Sequence, residues 1–234
     1  MAFLGMFKSK EERALDDALK KIGQAIFPGG EADIQRDIAR VAKITHSKIP
    51  ADKIRGFVSG CKTLVHISES YDDEGFVRSF KIRSENAITD TEAWEIYAYF
   101  EGEASYLDNT TRMLKVHPNA TPADISGALA GVNDIYANGT YKDSIEGGHG
   151  EFGLTLTNPI PTMSVRGSNR YLAKLRYLGS PLKNTRVGST TSSVTSGNID
   201  IYELSVEGKK VGAIYICPYH KRNSRSAPKG FSLG

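Results

Sequence analysis

The sequence predicts an α+β protein, an N-terminal helical bundle followed by a small antiparallel-sheet module with one helix. Three observations lead there. Helix-start signals paired with apolar stripes at helical spacing recur through the first 140 residues. That pattern breaks at a Gly- and Pro-rich stretch. Beyond it, two runs rich in β-branched residues flank a turn. The chain therefore divides into a helical domain over 1–140, a connector over 141–161, and a basic α+β module over 162–234 with a flexible C-terminal tail. At 234 residues it holds one large domain or two small ones, and neither core is large enough to forbid their packing into one body.

The elements follow in order. Ser9 and Glu12 form a Ser-x-x-Glu capping box ahead of a stripe from Ala14 through Leu15, Leu19, Ile22 and Ile26, stopped by Pro28-Gly29-Gly30. A second helix runs from Glu31 to about Thr45 with Ile34, Ile38 and Val41 inward. A third starts near Pro50 and aligns Ile54, Phe57, Val58, Cys61, Leu64 and Val65. A shorter one surrounds Phe76, Val77 and Phe80. Thr89 and Glu92 box the start of a helix through Trp94, Tyr97 and Phe100 toward Leu107. Thr121-Pro122-Ala123-Asp124 opens the last of these five or six helices, which carries Ile125, Leu129, Val132, Ile135 and Tyr136 and stops at Asn138-Gly139. No internal repeat or heptad run is visible.

In the C-terminal module, Ser168 is expected to cap a short helix carrying Tyr171, Leu172, Leu175 and Leu178, ended by Gly179. Thr190 to Gly197 reads as a Ser/Thr-rich surface loop. Ile199–Val206 and Val211–Cys217 read as strands joined by hairpin chemistry at Glu207-Gly208-Lys209-Lys210. The tail from Tyr219 is polar and lacks periodicity.

Charge is uneven along the chain. Residues 1–151 hold 18 Lys and Arg against 24 Asp and Glu, whereas 152–234 hold 12 against 3, so halves of −6 and +9 give the net +3. Such an asymmetry suits modules with different partners, or modules that attract each other. Two widely separated cysteines exclude a disulfide framework or a four-Cys zinc site. No apolar run approaches the roughly 18 residues of a membrane span. Lys8 and Lys10 follow the apolar Met1–Phe7 stretch, the wrong order for a secretory signal. A soluble, cytoplasmic protein is expected.

No motif names a reaction. His149 and Glu151 place an imidazole and a carboxylate in the Gly-rich connector, which is acid–base equipment. The connector matches no phosphate-binding fingerprint, and His149-x-Glu151 lacks the Pro-Cys-x-x-Cys of zinc deaminases. Arg166, Ser168 and Arg170 cluster where a helix begins, a setting that suits an anion. Lys221, Arg222 and Arg225 add basic charge in the tail. Cys217 and His220 lie three residues apart, closer than a nucleophile and its base usually are. No metal ligands at diagnostic spacing and no cofactor motif are present.

The leading expectation is a non-enzymatic binding or adaptor protein. Its helical half would contact a protein partner, and its basic module an anionic ligand or surface, including non-specific nucleic acid. The alternative is a small enzyme acting on an anionic substrate with His149 and Glu151 at the domain junction. A third reading has the oppositely charged halves hold one another, or a second copy in a homo-oligomer.

Overall fold

The computed structural model describes residues 30–67, 73–127 and 139–234. Four helices of the N-terminal half stand where expected: α1 (Glu31–Ile44), α2 (Ala51–Ile67), α3 (Asp73–Arg83) and α4 (Asp90–Val116). The α1 stripe is corrected: Asp33, Asp37, Val41 and Ile44 are its buried residues, whereas the expected Ile34 and Ile38 are only half-buried. Glu31 and Asp33 sit at the positive end of α1 and Lys43 at its negative end. The Pro50 carbonyl accepts from the N–H groups of Lys53 and Ile54, which starts α2. The Thr89 box is formed as expected: its hydroxyl accepts from Glu92 N–H at 3.2 Å, and the Glu92 carboxylate accepts from Thr89 N–H at 2.7 Å. From there α4 extends nine residues past the expected end at Leu107. Their inward faces share one core that includes Val41, Phe57, Cys61, Phe76, Phe80, Ile96, Tyr97 and Phe100. Thr121 and Asp124 also make the reciprocal bonds of a capping box, and 122–127 are helical. The rest of that helix, its stop at Asn138 and the whole 9–26 helix lie outside the described residues.

The two helical hairpins repeat one another with a shift of 39 residues, from 46 to 85 and 47 to 86. His46 and Ser47 take φ of 50° and 56°, and Glu85 and Asn86 take 54° and 62°. Ser47 N–H donates to Ala42 O and Asn86 N–H to Lys81 O, both at 2.8 Å. A buried isoleucine, Ile49 or Ile88, follows each turn. The sequence reading finds no repeat because the turns share a conformation without sharing residues. Asn and His tolerate the left-handed region better than most side chains, but Ser47 and Glu85 give no such signal.

The C-terminal half is α+β, with a mixed sheet. Strand order is β1-β6-β5-β4, where β1 (Ile160–Pro161) runs parallel to β6 (Lys209–Cys217), and β5 (Thr195–Val206) is antiparallel to both β6 and β4 (Lys183–Ser192). Glu207 and Gly208 make the tight turn with φ of 50° and 81°, the doubly left-handed geometry that matches strand twist. The expected loop at 190–197 is instead the far end of the β4–β5 hairpin, with Thr190 opposite Ile199 and Ser192 opposite Thr195. Threonines favour this extended, half-exposed backbone, and the composition hid it.

Helix α5 (Ser164–Lys174) starts before Ser168 and ends before Gly179. Leu175 instead begins β2 (Leu175–Tyr177), which turns through Gly179 at φ 82° into β3 (Ser180–Pro181). Tyr171 and Leu172 pack with Tyr202, Leu204, Ile214 and Ile216 in a second core. Residues 219–234, read as a tail without a core pattern, are docked. The last strand, β7 (Phe231–Leu233), pairs with β2, and His220 and Ser224 are buried. Among the described residues, no helix is long and apolar enough to cross a membrane.

Candidate functional site

The seam between the two halves holds a connected set of buried charges. Helix α5 lies against α4, and Met163 just ahead of it joins the helical core. That approach carries Arg170 into the bundle. Its Nε is 3.1 Å from Asp73 Oδ1 and its Nη2 is 3.2 Å from Glu101 Oε2. Arg170 also donates to the Tyr97 hydroxyl, which itself donates to Asp73 Oδ1 at 2.8 Å. The guanidinium stands 5.7 Å from the Phe76 ring centroid and 5.9 Å from that of Tyr97, within cation–π range. Burial opposes its charge, yet Tyr97, Glu101 and Asp73 hold it above the ordinary range.

Arg166 is committed to the same side. It donates to the Val65 carbonyl at 2.9 Å and lies 3.5 Å from both Asp108 and Glu101. Glu101 is fully buried and accepts from Ser164 Oγ at 2.8 Å. Burial raises its carboxyl above the usual range, against the pull of Arg170, Arg166 and the Ser164 bond. Ser168, also fully buried, donates to Ser164 O and sits 2.8 Å from the Thr162 hydroxyl.

The docked C-terminal segment closes the seam. Asn223 Oδ1 accepts from Met163 N–H, and its Nδ2 donates to Gly167 O, both at 2.8 Å. A Cβ on Gly167 would stand 2.5 Å from Asn223 Oδ1, so only glycine permits this approach. Arg222 pairs with Asp143 at 2.8 Å, Arg225 with Glu74 at 2.8 Å, and Lys221 faces the Tyr141 ring. Between the halves remains a cleft of about 180 Å³ whose lining includes Asp73, Glu74, Trp94, Arg170, Asn223 and Arg225.

The structure thus brings 170 and 223–225 together at one cleft, with Arg166 behind it on the same helix. The connector does not join them. His149 and Glu151 are exposed, and neither lines the cleft. The connector is nonetheless ordered, with His149 N–H bonded to Thr157 O and Tyr215 N–H to Gly153 O. Cys217 and His220 do not form a pair: the thiol contacts Thr195 Oγ1 at 3.5 Å, and His220 Nδ1 accepts from Thr140 N–H at 3.3 Å. Burial raises the Cys217 thiol and lowers the His220 imidazole to about 4. Among the described residues, no group of three His, Cys, Asp or Glu is placed to hold a metal ion.

Sequence reasoning missed Asp73, Tyr97 and Glu101. A signal existed: Glu101 falls four residues after Tyr97 on the inward stripe of α4, where an unpaired carboxylate would be costly. No protein-family model matches the chain, and neither a curated protein nor a solved structure is significantly similar to it.

Proposed function

We propose that the chain is a binding protein that receives an anionic group at the junction cleft, while the helical half remains open to a protein partner. The observation that carries this reading is the Arg225–Glu74 pair at the cleft, both partners about half exposed. An exposed pair contributes about 0–1 kcal/mol, so an incoming carboxylate or phosphate displaces Glu74 at little cost. Arg166, Arg170 and Arg222 are poorer candidates for exchange. Taking Arg170 from Glu101 would strand a buried carboxylate, at a cost of about 3–5 kcal/mol. The cleft's 180 Å³ lies below the roughly 300–1,000 Å³ of drug-sized pockets, which suits a single phosphate or carboxylate group.

A second reading draws on the same contacts. Arg166, Arg170 and Arg225 all pair with carboxylates of the helical half, so the charge asymmetry serves to hold the halves together. Calorimetry with inorganic phosphate, and heparin binding at graded salt, separate the two. The binding reading expects weak association that falls steeply with salt, with a loss of about tenfold in Arg225→Ala. Absence of binding at low salt, or an unchanged affinity in Arg225→Ala, overturns it and leaves the internal role. The enzyme alternative would require His149 and Glu151 at the cleft, and they support no step there.

A further inference from the structure

A second, larger cleft lies wholly in the helical half. Its walls come from the α1–α2 turn, the first turns of α2, and the end of α3 with the turn that follows. Its volume is about 500 Å³, inside the roughly 300–1,000 Å³ typical of small-molecule sites. Ile49, Pro50 and Phe57 supply apolar wall, and Ile49 and Phe57 are themselves rooted in the bundle core. The cationic lining is Lys48, Lys53 and Arg83.

These three cations are not equivalent. Lys48 is held by both oxygens of the buried Glu92, at 2.7 and 2.9 Å. Lys53 meets Glu85 at 2.7 Å in a pair exposed on both sides, which exchanges partners cheaply. The Arg83 side chain makes no hydrogen bond or ion pair with any described residue. Its guanidinium lies so close to α2 that a Cβ on Gly60 would meet Nη1 at 2.7 Å. A guanidinium with no partner among the described residues, set beside an apolar wall, presents a planar fork to a carboxylate or phosphate. One turn away, a Cβ on Gly56 would meet nothing within 4 Å, so the cleft reaches down to the α2 backbone there.

We propose that this cleft binds a small organic anion: a flat or branched apolar body bearing one phosphate or carboxylate. The body lies on Ile49, Pro50 and Phe57, and the anionic group meets Arg83 and Lys53. Asp52 and Glu85 also line the cleft and oppose a second negative charge, which excludes a polyanion from it. The ligand is therefore of a different class from the bare anionic group proposed for the junction.

Calorimetric titration of the full chain with phenyl phosphate and benzoate tests this. Inorganic phosphate and benzyl alcohol represent the anionic and apolar halves alone. Both aryl anions are expected to bind, with phenyl phosphate at least tenfold tighter than either half-molecule. Arg83→Ala should weaken phenyl phosphate at least tenfold, the order expected for losing a charge-assisted hydrogen bond. Gly56→Leu should fill the cleft and abolish binding without lowering the melting temperature, because leucine is the better helix former. No binding of either aryl anion at millimolar concentration overturns the proposal. So does a half-molecule that binds as tightly as phenyl phosphate. Wild-type affinity in a folded form of either variant overturns it as well.

Discussion

Replacing Arg170 with methionine removes the one guanidinium that touches Asp73, Glu101 and Tyr97 together. Methionine keeps much of the volume beside Phe76 and Tyr97, so the loss reads out charge rather than a cavity. Glu101 is fully buried and Asp73 nearly so, and both would lose their nearest cation. Breaking such a pair costs about 3–5 kcal/mol. Arg166 at 3.5 Å and the Ser164 hydroxyl at 2.8 Å still face Glu101, which places the expected loss near the lower end. For a chain of this size about 3 kcal/mol corresponds to a fall of roughly 6–12 °C in melting temperature. The pH dependence supplies the sharper test. Burial already raises the Glu101 carboxyl, and Arg170 is the largest influence pulling it back down. Without Arg170 it rises further. A carboxyl raised in the folded state stabilises below its unfolded value of about 4.3, and that stabilisation fades as pH climbs through the folded value. The penalty of Arg170→Met should therefore be smaller near pH 5 than near pH 8, measured by urea unfolding at each. Adding Glu101→Gln to Arg170→Met should recover a large share of the loss at the higher pH. A loss below about 1 kcal/mol at both pH values, the size of a surface pair, would refute this account of the seam, as would a loss that grows toward acid.

His220, lowered to about 4 by burial, should be protonated in the unfolded chain first, so stability falls as pH drops from about 6.5 toward 4. The full effect is of order 3 kcal/mol, and His220→Phe should flatten that limb; an NMR titration of the ring at or above its ordinary value would contradict it. Cys61 and Cys217 are buried, and burial raises both thiols, so neither should react with a thiol reagent until the protein unfolds. Deleting residues 222–234 removes β7 and the Asn223 clasp on α5, and should lower the melting temperature by several degrees or more. An unchanged transition would show that the docked segment adds nothing. Thr89→Ala should cost about 1 kcal/mol through loss of the α4 capping box, read by chemical denaturation.

What the sequence made legible is what local physics writes into adjacent residues. The Thr89 and Thr121 boxes, the stripes of α2 to α4, and the Glu207-Gly208 turn each depend on residues within a few positions of one another. The errors fall where a distant partner decides. Ser168 reads as a cap, but Met163 and Ser164 start α5 because Pro218 O accepts from Ser164 N–H and Asn223 Oδ1 accepts from Met163 N–H. The 219–230 segment shows no periodicity because it is held by single bonds to several elements rather than by a face. Its Ser224 hydroxyl reaches Asp143 O, and its backbone reaches Pro161 O and Asp73.

The charge asymmetry follows the same logic with more at stake. Sequence alone located an excess of cations in the C-terminal half and nominated Arg166, Arg170, Arg222 and Arg225 for an external anion. Each of those arginines finds a carboxylate of the chain itself, at sequence separations from 58 to 151 positions. A clustered cation is therefore equally well explained by an internal carboxylate, and only burial separates the cases. Arg170 is 12% exposed over a fully buried Glu101, whereas Arg225 is 56% exposed over Glu74. The first contact is expensive to break and holds the seam. The second is cheap to exchange, and within the seam it is where an outside ligand would compete.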